Sequence, residues 1–83
     1  MNKYLITFIV PCIEMEFDAY IPINKQIGTI KKTVLSSLVQ LSNGVYDQKG
    51  QVTFIDKETG IIFDDSIMVK DSSIQNGTKI VII

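Results

Sequence analysis

Hydrophobic residues recur at helical spacing in one part of the chain, residues 23–41. The apolar side chains there follow one another three or four positions apart, which places them on one helix face: Ile27, Ile30, Val34, Leu38 and Leu41. Asn24 is the predicted N-cap, and Asn43-Gly44 supplies the left-handed residues on which many helices end. The opposite face is polar, so the sequence predicts an amphipathic helix that the rest of the chain must cover.

Two strands are predicted before this helix. Residues 3–10 are rich in β-branched and aromatic side chains, and Pro11 interrupts them because proline cannot donate to a strand ladder. Residues 14–21 then alternate strictly between apolar and polar side chains, with one face formed by Met15, Phe17, Ala19 and Ile21. The pattern predicts an antiparallel hairpin with one face on the core.

Three further strands are predicted after the helix, at residues 51–56, 61–63 and 78–83. Val52 and Phe54 are the expected inward pair of the first of these strands. A loop is predicted over residues 45–50, and another, containing a short helical turn, over residues 64–73. Asn76-Gly77 predicts a turn before the last strand, which is apolar on both faces, as in the centre of a sheet.

The order strand, strand, helix, strand, short strand, strand predicts an α+β fold, the β-grasp, with one helix across one face of a mixed sheet. Right-handed crossover connections favour a parallel pairing of the first and last strands at the sheet centre. A chain of 83 residues is expected to form a single domain over residues 1–83.

The amino-acid composition excludes several kinds of binding site and catalysis. The chain has a net charge of −1, which gives no basic footprint for nucleic acid. It has one cysteine and no histidine, which excludes an internal disulfide, a multi-cysteine metal site and histidine-based acid–base catalysis. We therefore expect no cofactor and no bound metal. No stretch approaches the ~20 apolar residues of a membrane span, and the apolar run after Lys3 lacks a signal-peptide cleavage pattern. We expect a cytoplasmic protein that does not insert into membranes.

Other candidate groups have simpler explanations. Cys12 has no histidine to activate it, so we expect an inert or packing thiol. Five acidic residues do not follow a calcium-loop spacing and are expected to be solvated: Asp56, Glu58, Asp64, Asp65 and Asp71. The acidic row Glu14, Glu16 and Asp18 either forms a recognition face or protects an edge strand from pairing.

The sequence resembles ubiquitin in two segments, IPINKQIGTIKKTV at the start of the helix and VKDSSIQNGTKIVI before and within the last strand. It is more closely similar to small bacterial ubiquitin-like proteins of the YukD/EsaB family. Ile21-Pro22-Ile23, Asn76-Gly77-Thr78 and the terminal Ile82-Ile83 carry that similarity. The resemblance implies that Asp71 caps the small helical turn.

The YukD/EsaB family is associated with type VII (WXG-type) secretion systems of Gram-positive bacteria. The resemblance therefore implies a non-catalytic adaptor or regulator rather than an enzyme. Its protein partner would be the cytoplasmic domain of a secretion-system membrane component or the secretion ATPase. A stand-alone interaction module unrelated to secretion is the alternative. A sulfur carrier or conjugated modifier of this fold would need a flexible Gly-Gly terminus, and residues 79–83 contain no glycine.

The alternation of the central strands predicts an apolar surface on the sheet face away from the helix. If Tyr4, Ile6, Phe8 and Val10 face the helix, Leu5 and Ile9 face away from it, as do Val81 and Ile83 of the last strand. Together with Ile55 they form a predicted protein-binding face: Leu5, Ile9, Ile55, Val81 and Ile83. Such a face serves a partner protein or packs in a homodimer.

Overall fold

The computed structural model describes residues 2–46 and 51–83, which form a mixed sheet with one helix across it. The elements are β1 (Lys3–Val10), β2 (Met15–Pro22), α1 (Ile27–Leu41), β3 (Phe54–Asp56) and β4 (Lys79–Ile82). The strand order is β2-β1-β4-β3, with β1 and β4 parallel and the outer pairs antiparallel. The chain has the ubiquitin-like β-grasp fold, which confirms the predicted fold class and its parallel central pair.

β1 and β2 form the predicted hairpin. Their ladder runs from Lys3 opposite Pro22 to Val10 opposite Met15. A 3₁₀ turn at Pro11–Ile13 joins them and ends at Glu14, whose φ of 50° is left-handed. The inward residues of β1 lie fully in the core, namely Ile6, Phe8 and Val10. Those of β2 are mostly half-buried because β2 is the edge strand, where the helix covers the sheet only in part.

The apolar stripe of α1 packs on the sheet largely as predicted. Ile27, Ile30, Val34 and Leu38 are all buried. The prediction for Leu41 was wrong: it is 55% exposed, because it is the last helical residue and the core does not reach beneath it. Leu35, absent from the predicted stripe, is buried and widens the contact. The predicted left-handed stop is confirmed, since Asn43 and Gly44 both have positive φ.

The start of α1 differs from the prediction. The helix begins at Ile27 with Gln26 as N-cap, and no side chain caps it, so Asn24 does not have the predicted role. Instead Ile27 N donates to Ile67 O and Gly28 N donates to Asp65 O, each at 2.9 Å. Backbone carbonyls of a distant loop thus satisfy donors that a capping side chain would otherwise serve.

Gly28, unfavourable in a helix by propensity, is explained by this contact. A Cβ atom at position 28 would lie 3.1 Å from Asp65 Cβ and 3.2 Å from Asp65 O. The missing side chain lets the first turn of α1 approach the loop closely enough for the hydrogen bond to Asp65 O.

The pairing after the helix is shorter than predicted. β3 covers Phe54–Asp56 rather than residues 51–56, although Thr53 and Ile83 exchange two further backbone hydrogen bonds of 2.9 and 3.0 Å. Phe54 is buried and Val52 is half-buried against the core, as predicted. The predicted strand at 61–63 is reduced to a single antiparallel bridge, Ile55 to Ile62. Two backbone hydrogen bonds flank it, Asp56 N to Ile61 O at 2.9 Å and Phe63 N to Phe54 O at 3.0 Å. The predicted loop at 45–50 falls mostly on residues outside the described ranges.

The predicted helical turn before the last strand is a 3₁₀ turn at Val69–Asp71. Asp71 does not cap it; the N-cap is Met68, without a side-chain hydrogen bond. Ser72 closes the turn instead, because its hydroxyl donates to Val69 O at 2.7 Å and accepts from Ile74 N at 3.1 Å. A hydroxyl can make both bonds, whereas a carboxylate can only accept.

Lys31 lies outside the predicted apolar stripe of the helix, yet its side chain connects two loops to α1. Its Nζ donates to Val52 O at 2.8 Å and to Asp65 Oδ1 at 2.7 Å. The same atom lies 5.5 Å from the centroid of the Phe54 ring. Since the side chain is only 14% exposed, this cation stabilises the segments on both sides of β3 against the helix.

Candidate protein-binding face

The sheet face opposite α1 carries a continuous row of aliphatic residues. Ile9 of β1 lies opposite Val81 of β4, and Val81 in turn lies opposite Ile55 of β3. Residues paired across neighbouring strands project from the same face of a sheet. Their neighbours in sequence, Phe8, Ile80 and Phe54, are buried on the helix side. The structure therefore brings together three of the five predicted residues, and we call Ile9, Val81 and Ile55 the apolar row.

Ile62 extends this row beyond β3. Its bridge to Ile55 places the two residues opposite each other, and Ile62 is 66% exposed. Phe63, the next residue, turns into the core. Ile62 belongs to the predicted strand 61–63 but was not among the predicted residues of the face. The inward Phe63 beside it was the available signal, since neighbours in an extended segment point to opposite sides.

The other two predicted residues relate differently to the apolar row. Ile83 lies two residues after Val81 on the same face, is exposed, and exchanges backbone hydrogen bonds with Thr53. Leu5 lies opposite Tyr20, at the far end of β1. Between Leu5 and the row runs a polar line in which Thr7 pairs with Asp18 on one side and Lys79 on the other. Ile83 thus adjoins the row at Val81, whereas Leu5 is separated from it by the polar line.

The polar line is ordered by a side-chain hydrogen bond. Thr7 Oγ1 donates to Asp18 Oδ1 at 2.7 Å across the hairpin. Lys79 lies on the other side of Thr7 and is exposed. An acidic and a basic side chain therefore lie alongside the apolar row on the side toward Leu5, an arrangement that can orient a partner without adding much affinity.

Two of the five acidic loop residues, Asp56 and Asp64, accept hydrogen bonds within turns. Asp56 is buried rather than solvated as predicted, and its Oδ1 accepts from Glu58 N at 2.8 Å and Thr59 N at 3.2 Å. Asp64 Oδ1 accepts from both the backbone N–H and the hydroxyl of Ser66. Among residues 2–46 and 51–83, no three carboxylate or cysteine side chains cluster as metal ligands would.

Two groups have shifted pKa values, and both lie off the apolar row. Burial raises the pKa of the Tyr46 hydroxyl, and the nearby Cys12 thiol, when charged, raises it further. The backbone N–H of Ser66, followed by its hydroxyl, lowers the pKa of the Asp64 carboxyl. Local burial and hydrogen bonding explain each shift, so neither group indicates an acid–base pair.

Cys12 lies in the 3₁₀ turn between β1 and β2, where its side chain is exposed. It is therefore not a packing thiol, which was one of the two expected roles. Pro11, Tyr46, Ile82 and Ile83 line a shallow apolar depression with it. In the part of the chain that the structure describes, no helix is long and apolar enough to span a membrane.

The sequence matches no protein-family model and no curated protein. Solved structures are nevertheless similar in fold. The ubiquitin-like domain of the type VII secretion system protein ECCD1 of Mycobacterium tuberculosis superposes with a TM-score of 0.77 at 13% identity, covering 100% of this chain and 99% of that one. Ubiquitin of Caldiarchaeum subterraneum gives 0.67 at 12% identity, covering 96% and 90%.

A chain from an inhibitor complex of toluene 4-monooxygenase is also similar, with a TM-score of 0.72 at 8% identity over 96% of this chain and 95% of that one. At such identities the likeness concerns the fold alone, and this fold serves more than one kind of protein. The structure neighbours named as ubiquitin or ubiquitin-like show that this chain shares their β-grasp fold.

Proposed function

We propose that this protein is a non-catalytic, cytoplasmic ubiquitin-like adaptor of the YukD/EsaB kind, acting as an accessory component of a bacterial type VII secretion system. Its partner is the cytoplasmic domain of a membrane component of that system or the secretion ATPase. The observation that carries the proposal is the apolar row. Ile9, Val81 and Ile55 are aligned across three strands on the face that the helix leaves uncovered.

Partner binding is favoured by the composition of this face. Aliphatic side chains in one row lose their remaining contact with water together when a flat partner surface covers them. Since the three are already half-buried, each contributes less than the roughly 1.5–3 kcal/mol of a fully exposed side chain. Ile62 lengthens the row at one end, and Lys79 with Asp18 supplies charges at its border. An apolar centre with a polar rim is the usual composition of a protein interface.

The secretion role is supported by the sequence motifs and by a structural likeness. The segments Ile21-Pro22-Ile23 and Asn76-Gly77-Thr78 are similar to those of the YukD/EsaB family. The likeness to the ECCD1 domain covers nearly the whole of both chains. A stand-alone interaction module would use the same face with a partner unrelated to secretion.

The test is a titration of ¹⁵N-labelled protein with two purified probes. These are the cytoplasmic domain of the membrane channel component and the secretion ATPase, both from the genome that encodes this chain. We expect one probe to shift the amide resonances of Ile9, Val81 and Ile55. The resonances of the solvent-exposed face of α1, such as that of Ser36, should stay in place. If neither probe binds, the secretion role is contradicted. Shifts confined to α1 contradict the assignment of the face.

A further inference from the structure

The outer edge of β2 has the geometry to accept another strand. β2 is terminal in the sheet, and β1 already pairs on both sides, with β2 and β4. Ile23 N donates to Asn2 O at 3.0 Å, which fixes the alternation of the ladder. Backbone groups of β2 that face β1 therefore belong to Met15, Phe17, Ala19 and Ile21. Those of Glu16, Asp18 and Tyr20 point outward.

Pro22 fits this alternation. It lies opposite Lys3 in the ladder, at an outward-facing position where its missing N–H breaks no bond to β1. In the described part of the chain no strand pairs with the outer edge of β2. Three consecutive outward positions thus offer N–H and C=O groups to an added strand, and the carbonyl of Pro22 adds a further acceptor.

An apolar groove runs beside this edge, between β2 and α1. It has a volume of about 260 Å³, and its floor includes Phe17, Ala19, Ile30 and Val34. The rim of the groove along α1 is formed by short polar side chains, Thr29, Thr33 and Ser37, so the groove stays open. Inward-pointing side chains of an added strand would enter this groove, because alternate residues of a strand point to the same side.

The opposite side of the edge is acidic. Glu16 and Asp18 are exposed and project from β2 away from the helix, and Glu14, just before β2, is also exposed. Lys25 lines the groove on the helix side, so the two sides of the edge carry opposite charge. A strand that satisfies both sides places aliphatic residues toward the groove and basic residues beside the carboxylates.

We propose that the outer edge of β2 binds an extended segment of a partner protein in which aliphatic and basic residues alternate. The segment adds a fifth strand to the sheet, filling the groove with its aliphatic side chains and pairing its basic side chains with Glu16 and Asp18. A second copy of this chain is a poor occupant, because two antiparallel β2 edges would bring their acidic rows face to face. The acidic row thus repels self-pairing and selects a basic strand. This site does not depend on the apolar row.

The probe is a short synthetic peptide that alternates lysine and valine and is blocked at both ends. One control peptide has the same composition with lysines and valines in separate blocks, and another alternates glutamate and valine. We expect only the lysine–valine alternation to bind, with slowed hydrogen exchange at the amides of Glu16, Asp18 and Tyr20. Equal binding of the block peptide, or protection elsewhere, overturns the proposal.

Variants separate the contributions of charge and backbone. Glu16→Lys should weaken lysine–valine binding about threefold to tenfold and improve binding of the glutamate–valine peptide. Asp18→Pro removes an outward N–H and should abolish binding; its circular dichroism spectrum shows whether it folds. Val81→Asp, on the apolar row, should bind the peptide as the parent does. If Glu16→Lys binds the lysine–valine peptide with unchanged affinity, the proposal is overturned. It is also overturned if light scattering shows that the parent forms dimers and that Asp18→Pro abolishes them.

Discussion

Ile9 of β1 lies directly opposite Val81 of β4, in the parallel pair at the centre of the sheet. Their sequence neighbours Phe8 and Ile80, also paired, are buried beneath α1. One strand pair therefore supplies both the centre of the core and the centre of the apolar row on the opposite face. Any change of register between β1 and β4 would disturb folding and binding together.

The position of a leucine along α1 decides its contribution to stability. Leu38 is fully buried, whereas Leu41 is 55% exposed on the last turn. We expect Leu38→Ala to lower the free energy of unfolding by about 2–5 kcal/mol, through lost burial and the cavity left behind. Leu41→Ala should cost less than about 1 kcal/mol. Urea denaturation of both variants checks this, and equal losses would contradict the observed end of the helix packing.

Gly28→Ala tests the close approach of α1 to the loop at Asp65. Alanine in place of glycine normally stabilises a helix interior by about 1 kcal/mol. Here the new Cβ would press on Asp65 Cβ and on the oxygen that accepts the Gly28 N–H. We expect a lower thermal midpoint for Gly28→Ala, and a slightly higher one for the exposed control Ser36→Ala. A clear stabilisation by Gly28→Ala would show that the loop does not hold the helix start.

Lys31→Met should destabilise the protein by about 1–3 kcal/mol, because it removes two charge-assisted hydrogen bonds while keeping most of the packing. The bonds lost are those to Val52 O and Asp65 Oδ1. Lys32→Met, at an exposed neighbouring position, is the matched control and should change stability by less than about 0.5 kcal/mol. Denaturant unfolding of the pair measures the difference, and similar values for both variants would deny Lys31 its role.

The carboxyl of Asp64 should titrate below the usual range of aspartate, because Ser66 donates to its charged form. A pKa that is lower in the folded state stabilises the fold at pH values above the unfolded pKa. That stabilisation is lost as the pH falls through the folded pKa. Ser66→Ala should raise the pKa of Asp64 only in part, since the backbone N–H remains. Carbon-detected NMR titration measures the pKa of Asp64 in the parent and in the variant. An ordinary pKa in the parent would contradict the hydrogen-bonded turn between Asp64 and Ser66.

Much of the fold follows from local patterns in the sequence. β1 occupies the predicted residues 3–10, and the stripe of α1 packs through Ile27, Ile30, Val34 and Leu38. The spacing of the apolar residues and the β-branched composition of the strand carry this information directly. The predicted left-handed end of the helix is likewise local, because Asn43 and Gly44 tolerate positive φ.

The features that were missed depend on contacts between distant segments. The start of α1 is fixed by carbonyls of Asp65 and Ile67, which no capping motif reveals. Lys31 is held by Val52 and Asp65, although its position in the helical pattern predicts exposure. Residues 61–63 look like a strand by composition, yet they form only a single bridge to β3, at Ile62. Predicting the apolar row requires the register between three strands, and the alternation of side chains within each strand does not determine that register.

The affinity of the Val81→Asp variant for the secretion partner tests the proposed function most directly. Val81 is the middle residue of the apolar row and is only partly buried, so the variant should remain folded, as circular dichroism would show. Ser36→Asp, on the exposed face of α1, carries the same added charge and serves as the control.

Isothermal titration calorimetry with the cytoplasmic domain that binds the parent measures the three affinities. A partner that covers position 81 would have to bury the new carboxylate without a countercharge, so Val81→Asp should weaken binding at least about tenfold. Ser36→Asp should bind as the parent does. Parent-like affinity in a folded Val81→Asp variant would contradict the assignment of the apolar row as the binding surface.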